Sequence, residues 1–180
     1  MFAGGHPVII LASGKDGPAW LAFDLAHELG HLMRGHVRPG DKLLVDARLT
    51  DNVTDDGELE ADEFALELLT GSPAGVEFKR DAIKANEIGP AAADYVLRER
   101  PDLDPGMVVL SYCKSTSYWG VAKGGLESLG AARGGHVMVA QRLASRLSVD
   151  LLTESESRFL AAVCHLPDAT VTDEQSLVAR

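Results

Sequence analysis

The chain has 180 residues, with 17 Lys and Arg against 27 Asp and Glu, a formal charge of −10. A hydrophobic share of 46% and a charged share of 24% are those of a globular protein built on its own core. The acidity argues against a phosphate-tracking surface and hence against direct nucleic-acid binding, and no apolar run approaches the ~18 residues that span a bilayer.

Met1–Pro7 lacks the basic and apolar regions of a secretion signal. Val8-Ile9-Ile10-Leu11, β-branched and ended by Ser13-Gly14, predicts a strand. Asp16-Gly17-Pro18 supplies a capping acid and an early proline. Leu21, Leu25, Leu29 and Leu32 then recur at steps of three and four, predicting a helix to about Arg34. Residues 39–57 are expected to be mostly loop, with a short strand at Leu43–Val45. A second helix is expected from Asp55 or Asp56 to Thr70, with Gly71 just past its end.

Pro73 opens a further predicted helix through Asn86, and Pro90 another through Arg98. Met107–Cys113, following Asp104-Pro105, is apolar and β-branched enough that periodicity does not separate helix from strand. Helices are predicted at Val121–Leu129 and Val137–Leu147, and Thr153-Glu154-Ser155-Glu156 reads as a capping box opening a last helix to Cys164. Beyond Pro167 the chain is polar and expected to fray. The expectation is one α+β domain over residues 1–166, mostly helical with a small N-terminal β-sheet, and a tail over 167–180. Cys113 and Cys164 form no CxxC pair and are expected to be thiols in a reducing cytoplasm.

Chemistry concentrates in His27-Glu28-Leu29-Gly30-His31, an HExxH motif inside the first predicted helix. A chain of this composition contains one by chance with an expectation of about 0.01. Residues i and i+4 project from one helix face about 6 Å apart, so both imidazoles can reach one Zn²⁺. Glu28 lies beside that face, where it can act on water without binding the metal. A metzincin-type third histidine falls six positions past the second, with glycine at three. Gly35 and His36 stand at four and five, so His36 is expected to be a cap or surface residue.

The better third ligand is an acid of the second helix. Glu58, Asp62 and Ala65 share one face, and small Ala61 and Ala65 allow close approach to the first helix. Glu58 can complete a His₂Glu set, with Glu60 the alternative. Asp62 can accept the Nδ1–H of a ligand histidine and fix its tautomer. Glu60, Glu63 and Glu67 otherwise read as a solvated face. Tyr112, Tyr118, Arg133 and His136 are candidates to stabilise an oxyanion, although Tyr112, Tyr118 and Trp119 are also expected to pack; His6 and His165 have no partner pattern.

The stretch Phe23–His31, followed by Glu58-x-Glu60-Ala61-Asp62-x-Phe64-Ala65-x-Glu67-Leu68-Leu69, resembles the ImmA/IrrE family of metallo-endopeptidases. The segments Asp104-Pro105-Gly106 and Trp119-Gly120-Val121-Ala122, with Leu126, resemble its C-terminal part. The resemblance implies a zincin-like fold, Zn²⁺ on His27, His31 and Glu58, and Glu28 as catalytic base. It implies a protein substrate, a helix-turn-helix repressor or antitoxin encoded nearby. Other divalent transition metals suit the same ligands. A regulatory protein that sequesters such a repressor without cutting it is the alternative. Fewer residues precede the first zinc helix than in many members, so a small sheet with an exposed edge is expected.

Overall fold

A computed structural model describes residues 2–3, 6–11, 14–40, 56–79, 83–148 and 151–164. Two short strands, β1 (Phe2–Ala3) and β2 (His6–Pro7), pair antiparallel with Phe2 opposite Pro7 and Ala3 opposite His6. Helices α1 (Pro18–Met33), α2 (Asp56–Thr70), α3 (Ala85–Glu99), α4 (Pro105–Thr116) and α5 (Ala122–Ser128) follow, with a 3₁₀ turn at Trp119–Val121 before the last. Helices α6 (Gly135–Ala144) and α7 (Glu154–Cys164) complete the order. The described residues are mostly helical, and none of their helices is long and apolar enough to cross a membrane. The chain divides into two compact units, Met1–Arg133 and Gly134–Arg180.

Helix α4 organises the first unit. Every side chain from Gly106 to Cys113 is buried, which is why the segment carries no helical period: a helix that is apolar all round belongs inside a core. Asp104 caps it, its Oδ1 accepting from Gly106 N at 2.7 Å and Met107 N at 3.3 Å. Trp20 and Phe23 of α1, Ala65 and Leu66 of α2, and Ile88 and Ala92 of α3 close around it. Phe23, Leu66 and Ile88, the larger buried side chains of this set, each contribute roughly 1.5–3 kcal/mol of transfer free energy.

Three sequence expectations are corrected. Val8–Leu11 is not a strand; these residues are half-buried or exposed and lie outside the two-stranded sheet, which is formed by the residues before them. A β-branched run needs a neighbouring strand to hold its backbone bonds, and the only sheet of the described residues is β1–β2. Residues 73–79 are not helical. Val76 and Phe78 are buried while Glu77 and Lys79 are exposed, a period-two pattern pinned where Val76 N donates to Ser111 Oγ at 2.7 Å. Pro90 does not open a helix but lies inside α3. The proline and Asn86, whose carbonyl would be its acceptor, are both exposed to solvent, and the preceding Gly89 has no Cβ to crowd the ring.

Smaller differences follow the same logic. The N-cap of α1 is Gly17, without a side-chain cap bond, and Pro18 occupies the first turn. Gly71, with φ +80°, terminates α2 as expected. In the second unit α7 begins with the anticipated box: Glu156 N donates to Thr153 Oγ1 at 3.3 Å and Thr153 N to Glu156 Oε2 at 2.8 Å. Both cysteines are free thiols. The expected strand at Leu43–Val45, His165 and the tail over 167–180 lie outside the described residues.

Candidate metal centre

Helices α1 and α2 approach so closely that a Cβ on Gly30 would stand 3.0 Å from both Cα and O of Ala61. Glycine facing alanine lets the backbones nearly touch, so a short glutamate side chain on α2 spans the gap to α1. His27 and His31 face this seam and are 8% and 3% exposed. Their Nε2 atoms lie 3.1 Å apart. Glu58 reaches across, with Oε2 3.3 Å from His27 Nε2 and Oε1 3.6 Å from His31 Nε2.

Partners beyond the seam define the tautomers. His27 Nδ1–H donates to Asp62 Oδ1 at 2.9 Å, since an ionised carboxylate only accepts. Lys114 Nζ of α4 donates to the other carboxylate oxygen of Asp62. Burial acts to raise the Asp62 pKa; hydrogen bonds from His27 and Lys114 and their charges outweigh it and hold the carboxyl below its ordinary value. On the other side His36 Nε2–H donates to Glu60 Oε2 at 3.1 Å, which leaves His36 Nδ1 to accept from His31 Nδ1–H at 3.0 Å. With Nδ1 of each ring taken up by these partners, both histidines turn Nε2 toward the Glu58 carboxylate.

Two neutral imidazoles and a carboxylate converging in one buried place present three electron-pair donors that a divalent cation can share. Ligand atoms held about 2.0–2.1 Å from one tetrahedral ion lie roughly 3.3–3.4 Å apart. The observed separations, 3.1 Å between the two Nε2 atoms and 3.3 and 3.6 Å from them to the two oxygens of Glu58, are of that size, so the group could hold a metal ion. His27, His31 and Glu58 are also the one group of three potential ligands among the described residues whose donor atoms lie within 4.8 Å of each other.

Glu28, half-buried, follows His27 on α1. Glu60 sits with His36 and is not brought into the three-ligand group. Tyr112 packs edge-on against Phe78, with centroids 6.0 Å apart, and Trp119 stacks on Trp20 at 5.6 Å. Tyr118 and Arg133 are exposed, and His136 belongs to the second unit. Sequence reasoning missed Lys114 and the contact of His36 with His31. For Lys114 the signal was hidden by the undecided state of Met107–Cys113. For His36 it was present in Gly35, the residue that turns the chain back after α1.

Comparison of the chain with models of known families, with curated proteins and with solved structures returned no match.

Proposed function

We propose that this chain is a zinc-dependent endopeptidase with a zincin-like arrangement of α1 and α2, acting in the cytoplasm on a regulatory protein. The observation that carries the reading is the convergence of His27 Nε2, His31 Nε2 and the Glu58 carboxylate, with Glu28 next to the first of them. Three protein ligands leave a coordination position open, the mark of a catalytic rather than a structural zinc. When bound, the ion supplies Lewis acidity toward a peptide carbonyl and lowers the pKa of water toward 7. Glu28 takes the proton of the attacking water on its carboxylate and delivers it to the leaving amine. Asp62 and His36 hold the two imidazoles with Nδ1 protonated, so that Nε2 of each stays available as a ligand. The resemblance to the ImmA/IrrE family supports a helix-turn-helix repressor or antitoxin encoded nearby as substrate.

Incubation with that neighbouring protein tests the reading. Fragments that disappear with a chelator and with Glu28→Gln, while Glu28→Gln still binds zinc, are expected. A stable complex with the neighbour and no fragments in either condition overturns the peptidase and leaves a sequestering protein.

A further inference from the structure

The end of α1 is built to deliver His36. Gly35 N donates to Leu32 O at 3.2 Å and His36 N to His31 O at 2.9 Å, while Gly35 adopts φ +77°. These paired bonds form a Schellman turn, in which the residue after the left-handed position folds back over the helix three residues before its cap. That residue is His36, and the one beneath it is His31. The same turn that satisfies the carbonyls of α1 thus fixes the His36 backbone to the ligand residue itself. Val37, 8% exposed, anchors the chain immediately afterwards.

The side chain completes the connection. The His36 ring meets the His31 ring edge-on, with centroids 5.2 Å apart and a 65° angle between planes. Nδ1 faces His31 Nδ1 at 3.0 Å, and Nε2 is held by Glu60 of α2 at 3.1 Å. Glu60 therefore selects the His36 tautomer that accepts, and His36 in turn selects the His31 tautomer whose Nε2 carries no proton. Two helices are tied on this side of the seam, as Asp62 ties them on the other.

Resting on the metal-centre reading above, we infer that His36 and Glu60 are positioning residues for the metal. They act through His31, orienting its ring and fixing its tautomer, and neither is a ligand. An outer hydrogen-bond partner of a metal-bound histidine changes affinity by about 10–100-fold when removed. Because Gly35 meets no atom within 4 Å of an added Cβ, a side chain there strains the backbone without creating a clash.

Zinc affinity measured by competition with a chromophoric chelator, together with the visible spectrum of the Co²⁺ form, tests this on the full chain. His36→Ala and His36→Phe should weaken zinc by about 10–100-fold and alter the Co²⁺ spectrum. The apo chain should melt at an unchanged temperature. His36→Gln, whose amide oxygen accepts from His31 and whose amine donates to Glu60, should restore most of the affinity. Gly35→Ala and Glu60→Gln should each weaken zinc, by less than His36→Phe. The inference is overturned if His36→Phe binds zinc as tightly as the unaltered chain, or if His36→Gln is no better than His36→Phe. Failure of the unaltered chain to bind zinc or Co²⁺ instead overturns the metal centre, and this role with it.

Discussion

The two imidazoles of the seam sit 3.1 Å apart yet are supported in opposite ways. His27 leans on an ionic pair inside the fold, where the Asp62 and Lys114 side chains are 12% and 30% exposed. His31 leans on a chain that runs out to solvent, through His36 at 21% and Glu60 at 54%. Both arms do the same work on a ring, accepting from Nδ1–H so that Nε2 faces the Glu58 carboxylate. They differ in what their loss costs the fold, because a hydrogen bond inside the protein leaves a desolvated group behind when broken and one at the surface is replaced by water. The inner arm should therefore be felt in stability and in metal affinity, the outer arm in affinity alone.

Asp62→Ala is the strongest way to break this contrast. It removes the acceptor of His27 and the counter-charge of Lys114 together. Zinc affinity should fall by about 100-fold and apo stability by about 1–3 kcal/mol, read by chelator competition and urea denaturation. An apo chain as stable as the original would mean that the inner arm has no structural weight.

Lys114→Met comes next. Asp62 keeps His27 but loses its second donor, and the loss is moderated because Lys114 is part-exposed. A destabilisation on the order of 1 kcal/mol is expected. In a double-mutant cycle Asp62→Ala and Lys114→Met should be non-additive, since they remove the same contact.

His36→Ala sharpens the contrast from the other side. The Schellman turn is made by backbone atoms and survives the substitution, and the freed Glu60 is already solvated. Urea midpoints should place the apo variant within about 0.5 kcal/mol of the original, in keeping with a surface substitution. A loss approaching that of Asp62→Ala would erase the distinction between the arms.

How much of this was legible in the sequence follows the same division. The spacing of His27, Glu28 and His31 on one helix, and of Glu58 and Asp62 one turn apart on the next, is a local periodic signal. Local signals survive without tertiary information. Lys114 was invisible because α4 is buried on every side and so has no period to read. Pro73 and Pro90 misled for a related reason. Proline fixes one dihedral and removes one donor; whether it opens a helix or rides inside one depends on which face meets solvent, a property of packing. His36 was read as a cap or surface residue from its failure to match a metzincin third ligand, but its place after Gly35 serves the helix end and His31 at once. The small N-terminal sheet was expected one segment too late, at Val8–Leu11 instead of Phe2–Ala3 and His6–Pro7, because β-branched composition says nothing about which segment finds a partner strand.

Cys113 provides the finest measure of the difference between the arms. It precedes Lys114 on α4, it is 0% exposed, and burial pushes its thiol up to about 12. Since the thiolate is the reactive form, a disulfide reagent at pH 8 should find almost none of it in the closed protein, whereas part-exposed Cys164 should react at once. Labelling of Cys113 then proceeds through local opening around α4 and reports the free energy of that opening. Weakening the inner arm by about 1 kcal/mol in Lys114→Met should quicken it about fivefold. The outer arm pairs His36 with His31 and Glu60, whereas the inner arm pairs Asp62 with Lys114 of α4, so His36→Ala should leave the Cys113 rate where it was. Equal acceleration in both variants would show that the arms open together, as one cooperative unit with a single stability.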